Sequence, residues 1–321
     1  MLVLVADFEV ARREFPVRLA VQAEAGERLA ILGPSGAGKT TCLEAMAGLL
    51  PLSAGRISLE GRQLSRAAEP GSDVRAGHRG VGLLRQRPGL FPHLTVLENI
   101  CYPPGASPAR ARQTASRMGL DGLLDVRPRG LSGGEAQRVA LCRTLQTDAR
   151  LLCLDEPFSS LDSALGIELL ELVRRELVEV SAVLVTHQLG EAQAFADRVI
   201  VLARGQVLQV AGPRELVLRP NSARVAEMVG YRGFLRCGSQ VLAIHPERVH
   251  ALGRQDGAGG ISARVVKVRP EGGRVDAEVE AEGEWIGRFH CRFDEAPELG
   301  STLLFGAPDA PQFSGAEALL D

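Results

Sequence analysis

GPSGAGKTT occupies residues 33–41 and fits G-x-x-x-x-G-K-[ST] at Gly33, Gly38, Lys39 and Thr40. Gly33, Gly36 and Gly38, with Pro34, Ser35 and Ala37 between them, suit a backbone that wraps an anion. Lys39 is placed to offset charge on β- and γ-phosphates, and the Thr40 hydroxyl to reach a magnesium ion. Thr41 follows at the start of a helix-forming run, TTCLEAMAGLL (40–50), where free N–H groups and the helix dipole also favour an anion. RLAIL (28–32) precedes the loop, so the context is strand, glycine loop, helix. Of 37 basic residues only Lys39 and Lys267 are lysines, which makes the loop lysine distinctive.

Outward from this loop, short continuous apolar runs recur: RLAILG (28–33), GVGLLRQ (80–86), LLCLDE (151–156) and AVLVTH (182–187). Continuous rather than alternating hydrophobicity predicts strands covered on both faces, hence an α/β fold with a mostly parallel sheet. Three runs end in chemistry, at Lys39, at Asp155 with Glu156, and at His187, and ligands in such sheets sit beyond the carboxyl ends of strands. Asp155 is placed to hold Mg²⁺ and Glu156 to accept a proton from, or orient, an attacking water. His187 is suited to contact a γ-phosphate or hold that water in line, although a histidine at a strand end is also a common structural residue. Gln86 is a neutral group able to bridge Mg²⁺, water and a moving loop.

Helices are predicted over 163–180, with Leu165, Leu169, Leu172, Val173 and Leu177 on one apolar face, and over 190–199. Residues 88–130 read as a mainly helical insertion broken at PPGASP, and 200–212 as a hairpin about an Arg-Gly turn. RVDAEVEAE (274–282) alternates, Val275, Ala277, Val279 and Ala281 facing one way, after a turn at RPEGG. The expected organisation is a nucleotide-binding domain over 1–231 and a small all-β domain over 232–321.

Composition narrows the partners. The net charge of −2 provides no basic field for nucleic acid, and 4% aromatic content offers few stacking platforms for single strands. Six cysteines, at 42, 101, 142, 153, 237 and 291, show no C-x-x-C pair and are expected as reduced thiols in a cytosolic protein. The N-terminal MLVLVADFEV carries no basic leader, and no run approaches the ~18–20 apolar residues of a membrane span, so any spanning is left to another chain.

A second glycine pair, in LSGGEAQRV (131–139), also stands where a helix begins. Locally it reads equally as a Ser132-capped helix start with Glu135 in its first turn. Taken in order, however, GPSGAGKTT, RQRPGLFPHLTV, LSGGEAQRVALCRTL, LLCLDEP, SSLD (159–162) and THQ resemble the ATP-binding subunits of ABC transporters over about residues 1–230. The resemblance implies a P-loop ATPase with a helical subdomain, binding ATP and Mg²⁺, the ion held by Thr40, Gln86 and Asp155. It implies a head-to-tail homodimer in which Ser132, Gly133 and Gly134 of one copy face the ATP on the other's phosphate loop, with Asp162 touching the partner. One chain would then carry two half-sites. It further implies an aromatic ring stacked on adenine, Phe15 or its rival Phe8. Arg85, Gln188 and the CRTL run depart from the usual pattern without removing a group the chemistry needs.

LAIHPERVHAL (242–252) resembles the turn that opens the small OB-like barrel (TOBE domain) of importer ATPases for oxyanions, polyamines, iron or sugars, with His245 where arginine is usual. That barrel is either a solute sensor or a dimer clamp. The implied function is ATP hydrolysis that powers import, of an oxyanion such as molybdate, a polyamine or ferric iron. The implied partners are two transmembrane permease subunits and, indirectly, an extracytoplasmic solute-binding protein. The subunit would sit peripherally on the cytoplasmic face of the membrane. An exporter subunit and a non-transport ATPase are the alternatives.

Overall fold

The computed structural model describes residues 2–69, 71, 73–177, 180–251, 260–271, 274–307 and 310–314. They form two compact units, Met1–Pro213 and Arg214–Asp321.

The first unit opens with β1 (Leu2–Val10), β2 (Val17–Glu24) and β3 (Arg28–Leu32), then α1 (Lys39–Ala47), β4 (Ala54–Leu59), β5 (Arg62–Arg66) and β6 (Val81–Leu84). The helical insertion supplies α2 (Val96–Ile100) and α3 (Pro108–Arg117), followed by α4 (Gly133–Leu145). The chain then alternates through β7 (Leu151–Asp155), α5 (Ser163–Glu176), β8 (Ser181–Thr186), α6 (Leu189–Phe195), β9 (Arg198–Ala203) and β10 (Gln206–Ala211). A six-stranded sheet runs β10-β9-β3-β8-β7-β6, parallel except where β10 folds back on β9. All four predicted runs are its strands, and β7 and β8 are buried along their whole length, as continuous hydrophobicity requires. The hairpin turns at Arg204 (φ 46°) and Gly205 (φ 73°). A second, antiparallel sheet, β2-β1-β4-β5, has no counterpart in the sequence expectations. Its β2 alternates buried and exposed residues without a break, and Leu19, Leu4 and Ile57 from it join Ile31, Leu43, Met46, Cys153 and Val185 in one core.

Two predicted helices are shorter than expected. The first stops at Glu176 rather than 180, with residues 178 and 179 outside those described. The second stops at Phe195, and β9 begins at Arg198, three residues on. The cause is a reciprocal clamp: Arg28 N–H donates to Asp197 Oδ2 at 2.9 Å, and Asp197 N–H donates to Arg28 O at 2.8 Å. That pairing draws the chain out of helical geometry and lays it beside β3.

The second unit opens with α7 (Pro213–Leu218), which begins at the boundary residue, and α8 (Ala223–Met228). Then come β11 (Gly233–Cys237), β12 (Gln240–Ile244), β13 (His250–Ala251), β14 (Ile261–Glu271), β15 (Arg274–Glu282), β16 (Arg288–Phe293), β17 (Thr302–Gly306) and β18 (Gln312–Ser314). They make two antiparallel sheets, β11-β12-β18 and β13-β17-β14-β15-β16. Ala277 and Val279 of β15 are buried, as its alternation predicts, and Phe289 meets Phe305 edge to face at 5.2 Å in the core. Of the predicted RPEGG turn, Arg269–Glu271 continue β14, and both glycines lie outside the described residues. Among the described residues no helix is long and apolar enough to cross a membrane.

Candidate functional site

The glycine loop joins β3 to α1. Gly38 is the N-cap of that helix at φ 101°, a conformation in which an L side chain is strained, and a β-carbon there would come within 2.6 Å of Val17 Cγ2. The bend aims the loop at a cavity of about 910 Å³ lined by Arg12, Arg13, Phe15, Ser35, Gly36, Gly38, Lys39, Thr40, Thr41, Gln86 and Glu156, among others. Gly33, Pro34 and Ala37 stand behind the lining: Ala37 is buried, and Gly33 and Pro34 turn their carbonyls to the Lys39 ammonium at 2.8 and 2.9 Å. Lys39 is 6% exposed, and burial holds its pKa below the usual lysine value while Glu156 and Asp155 pull the other way. A buried cation beside an open cavity, with backbone carbonyls as its hydrogen-bond acceptors, fits a phosphate chain.

Asp155 ends β7, 4% exposed, and its Oδ1 and Oδ2 accept from the Thr40 hydroxyl at 3.1 and 3.0 Å. Burial foremost raises the Asp155 pKa, against the lowering by Thr40. Two hard oxygen donors side by side next to the phosphate cradle suit a small divalent cation that keeps water and phosphate in its shell. Among the described residues no three His, Cys, Asp or Glu side chains gather as a protein-only metal cluster.

Glu156 follows in the left-handed region, at φ 45°, a conformation non-glycine residues adopt at a cost of ~1–3 kcal/mol. Its N–H donates to Val185 O at 3.0 Å, which ties the strained residue to β8. Gln86 Nε2 donates to Glu156 Oε2 at 3.1 Å, and His187 Nδ1 lies 3.3 Å from Glu156 Oε1. The three predicted catalytic residues thus meet on one carboxylate. Its side chain is 16% exposed and the histidine's 48%, so the acid is sheltered and the ring borders solvent. Phe15 lines the cavity. Phe8 is 3% exposed in the core of the first unit, which removes it as the adenine platform.

Ser132, Gly133, Gly134 and Asp162 do not line this cavity. Ser132 caps α4 in a full capping box, its hydroxyl accepting from Glu135 N–H at 3.3 Å and Glu135 Oε2 accepting from Ser132 N–H at 2.7 Å. The local reading of that helix start therefore holds. A β-carbon on Gly134 would fall 2.2 Å from Leu161 Cδ2, so the glycine admits the 159–162 loop against the helix start. Asp162 caps α5, its Oδ1 accepting from Leu165 N–H at 3.0 Å.

Three buried polar residues of the first unit escaped sequence reasoning. Arg79, 3% exposed, donates to Val74 O, to Ala45 O and Met46 O at the C-terminal end of α1, and to Ser65 Oγ. Gln137, 3% exposed, donates to Arg85 O at 3.3 Å. Glu191, 3% exposed, accepts from the Thr186 hydroxyl. The only signal of Glu191 was its spacing, four residues after His187.

Comparison with known proteins agrees with this geometry. Residues 17–159 match the family model described as ABC transporter. The chain is 40% identical over an alignment of 325 positions, 90% of each protein, to a Streptomyces coelicolor protein named Fe(3+) ions import ATP-binding protein. It is 37% identical over 279 residues, 82% of each, to the sulfate/thiosulfate import ATP-binding protein of Pseudomonas aeruginosa. To the Fe(3+) ions import ATP-binding protein of Mesorhizobium japonicum it is 43% identical over 213 residues, 64% of this chain and 58% of that relative's length. With the phosphate loop, the paired acids and the glutamine–glutamate–histidine contact in one site, the chain belongs to the ATP-binding proteins of ABC transporters.

Proposed function

We propose that this chain is the ATP-hydrolysing subunit of an importer, driving solute uptake through separate membrane subunits. The observation that carries the hydrolytic role is the convergence of Gln86 and His187 on Glu156 at the edge of the Lys39 cavity. Lys39 offsets charge on the β- and γ-phosphates, and the loop N–H groups orient them. Glu156 accepts the proton of the attacking water, His187 holds the γ-phosphate side of the site, and Gln86 tethers the carboxylate to the loop that follows β6. Thr40, Asp155 and Gln86 would hold Mg²⁺, which supplies charge neutralisation on the phosphates when bound. Phe15 is the platform for adenine.

The signature residues Ser132, Gly133 and Gly134 lie off the chain's own cavity, which supports their use on a second copy's ATP, with Asp162 at the shared interface. Hydrolysis then waits for closure of a homodimer, and closure moves two permease subunits from the cytoplasmic face of the membrane. An extracytoplasmic binding protein delivers the solute to them. The relatives' names favour ferric iron or an oxyanion as the solute. The β-rich second unit serves as a TOBE-type clamp or sensor.

Glu156→Gln keeps the cavity and removes the base. The expected result is retained ATP binding, turnover lowered at least ~10²-fold, and a dimer trapped by ATP. Unchanged hydrolysis in this variant removes Glu156 from the base role.

A further inference from the structure

We propose that Glu191 is a positioning residue for His187, acting through the Thr186 hydroxyl to fix the turn that carries the histidine. The inference rests on the ATPase reading of the site and adds to it a residue outside the cavity.

His187 needs such a support. Its ring is about half exposed, and Glu156 Oε1 is its hydrogen-bonding contact, at 3.3 Å. Packing alone does not hold a ring so placed, and its position follows the backbone of residues 186–188. That backbone is pinned at one atom. The Thr186 hydroxyl, fully buried at the end of β8, accepts from Gln188 N–H at 3.0 Å and donates to Glu191 Oε2. One hydroxyl therefore bridges the residues on both sides of His187 and passes the load to a carboxylate in α6. Gln188, the N-cap of α6, makes no side-chain capping hydrogen bond, and its own N–H is the group that Thr186 accepts from.

The carboxylate lies against α5 at ordinary contact distance. A β-carbon on Gly166 would lie 3.7 Å from Glu191 Oε1 and 3.4 Å from Phe158 Cβ, so α5 is bare where the acid sits. Gly166 N–H donates to Asp162 O, in the first turn of α5, just after the 159–162 loop. Glu191 thus stands between the histidine turn and the element that begins at Asp162. Burial, the largest influence, lifts its pKa above the ordinary 4.5, with the Thr186 bond and His187 opposing and Glu156 reinforcing. A buried acid is a costly filler where an apolar side chain would pack as well, and its strength as an acceptor for Thr186 is what an apolar group lacks.

The test compares Glu191→Ala, Glu191→Gln and Thr186→Val in the full chain. Loss of the bridge is expected to lower kcat about tenfold in Glu191→Ala and Thr186→Val, with KM for ATP within about twofold, while Glu191→Gln, which still accepts from Thr186, stays near wild type. In a His187→Ala background, Glu191→Ala is expected to change the residual single-turnover rate less than about twofold, because the group it positions is gone. Equal losses in both backgrounds, or no loss with His187 present, overturn the proposal. A second readout needs no turnover. In chain labelled with nitrogen-15 histidine, the His187 ring resonances, identified by their disappearance in His187→Ala, shift in Glu191→Ala and Thr186→Val and return in Glu191→Gln. Resonances that stay in place in all three overturn it. A wild-type chain that hydrolyses no ATP defeats the ATPase reading instead, and the ring resonances still decide the role of Glu191.

Discussion

Arg79 illustrates what a single buried charge does here. Its guanidinium ends the helix whose other end begins at the phosphate loop, meeting Ala45 O and Met46 O at 3.3 Å and Ser65 Oγ at 2.6 Å, with Asp73 at 3.8 Å. A cation at a helix C-terminus complements the dipole and satisfies the last carbonyls. Gly48 makes the approach possible, since a β-carbon there would lie 2.2 Å from Arg79 Nε. Arg79→Met removes the guanidinium donor from Met46 O and Ser65 Oγ and leaves Ala45 O only the Gly48 N–H, and it is expected to cost ~2–4 kcal/mol, read as a lower urea midpoint at unchanged m-value. Nothing local announces Arg79 among 35 arginines, and its role exists only because 31 residues of chain return it to Gly48. Lys39, by contrast, was legible from its neighbours, because the loop that needs it is built from adjacent residues.

Among the elements, α4 deserves its length. Its first residue follows the Ser132 cap, and farther along it grips the glutamine loop at both flanks. Gln137 holds Arg85 O, and Arg143 donates to Gly89 O at 3.1 Å and Pro88 O at 2.9 Å with its guanidinium 5.4 Å from the Phe91 ring centroid. Through these bonds α4 links its Ser132 end to the segment around Gln86. In Arg143→Ala, amide hydrogen exchange is expected to quicken roughly tenfold or more across 85–91 and to stay unchanged in β7. Equal exchange in both chains would detach α4 from that loop. The helix itself was visible in the sequence from its cap and glycines. The hand it lays on the loop was not, because side-chain to backbone contacts 52–55 residues apart leave no periodicity to read.

For the molecule as a whole, the decisive prediction concerns its twin. If each catalytic site combines one copy's Lys39 with another's Ser132, a Ser132→Arg chain and a Lys39→Ala chain are each inactive alone. Mixed, they are expected to recover about one competent site per heterodimer, which for an equal, statistically paired mixture is roughly a quarter of the wild-type rate per dimer, measured as phosphate release after mixing. No recovery would mean the two motifs serve the same copy. Such a two-fold dimer would also account for two anion-suited glycine stretches in one chain, of which the first lines the cavity and the second does not.

The order of motifs, the strands that end in acids and the chemistry of the phosphate loop follow from the chain read along its length, because backbone dihedrals, apolar runs and capping boxes are settled among near neighbours. Helix ends, the antiparallel first sheet and the assembly of Gln86, Glu156 and His187 do not. Glu156 meets Gln86 across 70 residues, and Asp155 meets Thr40 across 115. Such meetings depend on which strands lie side by side in the sheet, and strand neighbours are chosen by the burial of whole faces, a property that no short window of sequence contains.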